Sequence, residues 1–131
     1  MRLLAAACAM AAVALSSVPA HAQGIDPALA AETWHVSEIG GTPAAFAETL
    51  QFGDHRVAGR SACNRFSAGV RQTGQKLEIG EPVATRMFCQ GRMDEERRYF
   101  TALHAVSSYS LADGFLSLND AGGKTLLKLK K

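Results

Sequence analysis

The sequence predicts a mainly β domain, a small antiparallel β-barrel with one α-helix packed against it. Three observations carry this expectation. Short segments alternate apolar and polar residues with a period of two, glycine, proline, asparagine and aspartate punctuate them, and one stretch alone spaces its apolar residues as a helix does. Strands with a single apolar face must bury those faces together; closing the sheet removes its edges, and an amphipathic helix can cover one open end.

The chain begins with what reads as an export signal. Arg2 supplies a positive start, Leu3 to Leu15 is almost uninterruptedly apolar, and Ala20-His21-Ala22 places small residues where a signal peptidase cuts, before Gln23. The apolar run is well short of the roughly 20 residues that a spanning helix needs, so no transmembrane span is expected. Ala5-Ala6-Ala7-Cys8 resembles a lipoprotein acceptor only faintly, because too little signal precedes it. The expected organisation is a cleaved signal over 1–22, a flexible polar leader over 23–33 and one domain over 34–131. The expected location is the periplasm or the exterior of a bacterial cell.

Trp34 to Ile39 alternates and ends at Gly40-Gly41-Thr42-Pro43, a first strand followed by a turn. Thr49 to Phe52 and His55 to Gly59, separated by Gly53-Asp54, read as a tight hairpin. Asn64 to Gln72 puts Phe66, Ala68 and Val70 on one face; Gly74 marks the return, and Lys76 to Ile79 alternates before Gly80 and Pro82 break the ladder. Ser108 to Leu111 and Phe115 to Leu118 flank Asp113-Gly114, a pair suited to a type I′ turn, and Thr125 to Leu129 is the last strand. Between these, Arg92 to Val106 is the helix, with Asp94, Glu95 and Glu96 favoured in its first turns by the helix dipole and read as part of a solvated face. Phe46, Phe52, Phe66, Tyr109 and Phe115 are the expected barrel filling.

Cys63 and Cys89 remain after cleavage, in a compartment that permits oxidation. A disulfide between them is the expected state and would contribute on the order of 3 to 4 kcal/mol in the chain-entropy model. Two free thiols, or a thiol-dependent hydrolase using Cys63 or Cys89, are the alternatives. No metal site is expected, because no Cys-x-x-Cys and no nearby histidine accompanies either cysteine. His35, His55 and His104 are scattered, and there is no Gly-x-Ser-x-Gly, no His-Glu-x-x-His, no phosphate loop and no Rossmann pattern. Asn64 reads as a side chain bonding nearby backbone at a bend, Thr85 as a hydroxyl satisfying a turn and Met87 as a barrel filler.

Charge adds an exclusion. The chain holds 14 Lys and Arg against 12 Asp and Glu, and the signal removes one positive charge, so the remainder is close to neutral. That excludes a nucleic-acid footprint and a polybasic membrane surface as read from composition. Lys124, Lys128, Lys130 and Lys131 read as a solvated last strand.

Gly59-x-x-x-Cys63-Asn64-x-Phe66, Thr85-x-Met87-x-Cys89, Glu96-x-x-Tyr99-Phe100-x-x-Leu103 and the closing Leu116-x-Leu118 hairpin, in this order after Trp34, resemble the META domain family of HslJ-like heat-shock and envelope proteins. The resemblance runs from about residue 34 to 129. Ala62, Ala68, Val70 and Phe88 depart from its usual pattern. It implies a lipocalin-like barrel topology, signature positions at Gly59, Asn64, Phe66, Thr85, Met87 and Glu96, and a stress-response role. It implies no catalytic residue, cofactor or enzymatic activity. The expectation for function is a monomeric, exported, non-enzymatic stress-tolerance or binding protein, its partner an envelope protein or a small apolar ligand. An inhibitor of an envelope or foreign enzyme, presenting the loop from Glu81 to Arg86, is the further alternative.

Overall fold

The computed structural model describes residues 9–15 and 24–131, and among them the expected barrel is present. The expected signal, 1–22, lies largely outside the described residues. Residues 9–15 carry no regular structure.

Two helices and ten strands follow in order: α1 (Pro27–Ala30), β1 (Thr33–Ile39), β2 (Thr42–Pro43), β3 (Thr49–Phe52), β4 (Arg56–Arg60), β5 (Arg65–Thr73), β6 (Lys76–Ile79), β7 (Val83–Ala84), α2 (Met93–His104), β8 (Ser108–Ala112), β9 (Phe115–Asn119) and β10 (Thr125–Lys130). Eight strands close an antiparallel barrel in the order β1, β3, β4, β5, β6, β8, β9, β10, with β10 returning to β1 through pairs such as Val36 with Leu129. The short β2 and β7 are additions to β1 and β5. The weakest seam is β6 to β8, held by one bridge, Lys76 to Ser108. At the β8–β9 hairpin both Asp113 and Gly114 have positive φ, 54° and 80°, as a type I′ turn requires.

Period-two alternation sets the core. Trp34, Leu50, Val57, Leu77, Leu116, Leu118, Leu127 and Leu129 point inward and join Tyr99 and Leu103 of α2 in one buried cluster. Phe66 meets Tyr99 and Phe100 edge to face, with ring centroids 5.5 and 5.2 Å apart, so the helix is seated by aromatic contacts. Phe52, Phe66 and Tyr109 fill the interior as expected, but Phe46 and Phe115 do not. Each is only half-buried and carries a cation over its ring, Arg92 over Phe46 and Lys128 over Phe115, both at 4.4 Å.

Residues 24–33, expected as a leader without an element, are ordered onto the barrel. Asp26 caps α1 through its side chain, Pro27 sits at the first helical position, and Leu29 is fully buried. A ring of bonds pins them: the Asp26 amide donates to Gln72 Oε1 (2.7 Å), Gln72 Nε2 to the Tyr109 hydroxyl (2.8 Å) and that hydroxyl to Asp26 Oδ2 (2.9 Å). Burial, then the bond to Asp26, pushes the Tyr109 phenol up to about 12, so it stays a donor.

Candidate functional site

The polar residues singled out by the sequence converge on one place, where the turn after β4, the segment after β7 and the start of α2 meet. Ser61 N donates to the Asn64 carbonyl at 2.8 Å and closes the turn. Glu96 enters from α2 with only 7% of its surface exposed. Its Oε1 accepts from the Ser61 hydroxyl, from Asn64 N at 3.0 Å and from Asn64 Nδ2 at 3.0 Å. Asn64 then holds the neighbouring segment as a strand would. Its Oδ1 accepts from Met87 N (2.7 Å) and the Thr85 hydroxyl (2.8 Å), while Nδ2 donates to the Met87 carbonyl (3.1 Å). Cys63 and Cys89 are bonded, with Cα atoms 5.7 Å apart. One helix carboxylate thus fixes one amide, and the amide and the disulfide together fix residues 85–89.

This geometry explains the signature positions one at a time. Gly59 lies against β3 and the Phe66 ring of β5: a Cβ there would run into the Thr49 carbonyl and stand 3.2 Å from Phe66. Phe66 is the inward residue that meets α2; Asn64 bonds the distant Met87 peptide and Glu96 instead of backbone at its own bend, and the Thr85 hydroxyl donates to Asn64 Oδ1 instead of closing a turn. Met87 does not fill the barrel. It is 57% exposed, and its contribution to the clamp is its peptide group. Nor are Glu95 and Glu96 on a solvated face, since both are buried and hydrogen-bonded. Asp94 pairs with Arg97, and the Arg98 guanidinium donates to the Ile39 carbonyl at 3.1 Å.

A second polar group lies beside the first and was not anticipated. Glu48, just before β3, is 1% exposed, and neither of its carboxylate oxygens receives a hydrogen bond from an N–H or hydroxyl. Burial pushes its pKa up to about 7; its own backbone amide pulls it down, Glu95 pushes it up by sharing a hydrogen and by charge, and the Arg92 guanidinium draws it back. Glu95, the neighbouring acid, accepts from Ala45 N at 2.8 Å, and its proximity disfavours the ionised form of Glu48. Nearby, the Tyr99 hydroxyl donates to the Thr49 carbonyl at 2.9 Å, and burial, followed by the charge of Glu48, raises its pKa well above 10. Alternation contained a signal for Glu48, which stands two residues before Leu50 and four before Phe52, on the inward side.

The remaining candidates stay apart. His35, His55 and His104 are exposed, on β1, in the β3–β4 turn and at the end of α2. Among the described residues no three His, Cys, Asp or Glu side chains are grouped to hold a metal. An open groove of about 820 Å³ runs between α2 and the ends of β1 and β10, past Ile39, Arg98, Thr101, Ala105 and Leu126. No helix among the described residues is long and apolar enough to cross a membrane.

A model of the META domain matches residues 27–131. Two structures solved by NMR are similar in fold. One, of a protein from Burkholderia xenovorans, is 23% identical, with 88% of this chain and 94% of that chain covered at a TM-score of 0.61. The other is 24% identical, with 81% and 94% covered at a TM-score of 0.62. No curated protein matches the chain.

Proposed function

Because the chain belongs to the META domain family, we propose that it is an exported envelope protein that acts in stress tolerance by binding, and not by catalysis. One observation carries the reading: the polar signature residues are hydrogen-bonded to one another and to backbone, and the two cysteines are joined. A disulfide of this kind persists in oxidising compartments, which supports export. A hydrogen-bonded, half-covered clamp has no thiolate nucleophile in its oxidised form and no histidine beside it, which disfavours the thiol-hydrolase alternative. The loop from Glu81 to Arg86 is tied to β5 at Val83–Ala84 and again by Thr85 N to the Arg65 carbonyl at 3.0 Å. It is a supported ridge.

The test is recovery of the protein from its host. Fractionation should place it outside the cytoplasm, unreduced peptide mapping should yield the Cys63–Cys89 pair, and pull-down from envelope extract with lipid extraction of the sample should return a partner. A cytoplasmic protein with two alkylatable thiols would overturn the reading.

A further inference from the structure

The outer face of β4, β5 and β7 combines two properties that the composition conceals. The first is charge. Three of the twelve carboxylates, Glu48, Glu95 and Glu96, are buried, so the surface is more basic than the overall balance suggests. On this face the outward positions of β4 and β5 bring Arg60 directly opposite Arg65, with Arg56 two outward positions further along, opposite Gly69. Arg86 follows in the adjoining segment. Among the described residues none of these four arginines is ion-paired with a carboxylate. Arg56 donates to the Ser67 hydroxyl, and the others have their charges to offer.

The second property is apolar. Val83, opposite Ser67 on the same outer face, is 72% exposed; Met87 is 57% and Phe88 79% exposed. Val83 stands on β7, laddered to β5, while Met87 and Phe88 stand on the segment that Asn64 and the disulfide hold. Arg65 is stitched to the same segment through Thr85, in both directions. Large apolar side chains presented together on a fixed support, with cations beside them, satisfy two demands of a lipid surface at once: apolar groups reach the acyl boundary while guanidinium groups meet phosphates.

We infer that the ridge of Val83, Met87 and Phe88, with Arg60, Arg65 and Arg86, is a peripheral docking surface for an anionic phospholipid bilayer. This deepens the envelope reading and rests on it for its biological setting, but its test needs only the purified protein. The chemistry selects the occupant. A neutral apolar partner would leave the arginine pair of β4 and β5 facing each other without compensation, whereas a layer of phosphates neutralises both.

The experiment is co-sedimentation of the protein, as its host matures it, with vesicles of phosphatidylcholine alone and with about one-third phosphatidylglycerol, at low and high salt. Binding is expected on the anionic vesicles, falling as salt rises. Phe88→Ser should weaken it about tenfold or more, and Arg65→Gln or Arg86→Gln about fivefold each. These residues are exposed, and an unchanged melting temperature for each variant shows that the loss belongs to the surface. Any contribution from residues 3–15 is common to all variants and cancels. An excess of inorganic phosphate should compete weakly; complete displacement by it would reassign the site to a free anion and overturn the proposal. Equal partition on both vesicle types, variants that bind as the parent does, or absent vesicle binding with retention on an acidic protein would overturn it too. None of those results bears on whether the protein is exported.

Discussion

Removing the charge of Glu48 should make the protein more stable at alkaline pH and leave it nearly unchanged at acid pH. The folded carboxyl titrates near 7, against 4.5 for the free group, because burial and Glu95 disfavour its ionised form. The folded state therefore holds a proton that the unfolded chain releases between those values. The stability this lends is fully present below about pH 4.5 and is lost as the pH rises through 7. At about 1.4 kcal/mol per pH unit the shift corresponds to at most about 3.5 kcal/mol. The effective dielectric of a protein interior, well above that of a dry medium, reduces the expected effect to about 1 to 2 kcal/mol. Glu48→Gln keeps the shape and a donor toward Glu95 without the charge. Urea unfolding of both proteins at pH 5, 6, 7 and 8, with the disulfide intact, measures the difference directly. The variant should gain about 1 to 2 kcal/mol on the parent between pH 5 and 8. A difference that stays flat over that range, or that narrows as pH rises, would refute the reasoning that burial raises the titration of Glu48.

Other outcomes follow from the same structure. Gly59→Ala should cost about 1 to 3 kcal/mol in chemical unfolding, since its Cβ meets the Thr49 carbonyl, which the sheet holds in place. Reducing Cys63–Cys89 should lower stability by about 3 to 4 kcal/mol, seen as a shifted urea midpoint, while far-ultraviolet circular dichroism keeps its β signature. Tyr109→Phe should release α1 without unfolding the barrel, so that hydrogen exchange of residues 25–31 accelerates about tenfold or more while Leu116 to Leu118 stay protected.

Much of the barrel was legible because alternation is a direct record of which face is buried. Trp34, Leu50, Phe66 and Leu77 fall on inward positions, and Asp113-Gly114 marks its turn by chemistry alone. What escaped was either too short to carry a period or was decided by distant partners. The four residues of α1 and the two of β7 show no repeat, and each is held by partners elsewhere in the chain, the Gln72 and Tyr109 side chains for the one and the backbone of β5 for the other. The candidate site was legible as a list of positions and obscure as a set of roles. Acidic residues at the start of a helix normally face water, yet Glu96 points inward because Asn64 and Ser61 supply it with donors. Apolarity alone predicts a core side chain at Met87, but the position serves through its backbone N–H and carbonyl, which every residue except proline carries.

The claim on which all this depends is that the family's polar residues form a clamp that holds residues 85–89 to the barrel. A double-mutant cycle between Asn64 and Glu96, using Asn64→Ala, Glu96→Ala and the pair, measured by urea unfolding at pH 7, tests it most directly. Each single change should cost about 2 to 4 kcal/mol, because it strands a buried partner, with a coupling of at least about 1.5 kcal/mol between them. Single losses below about 0.5 kcal/mol that simply add would contradict the claim.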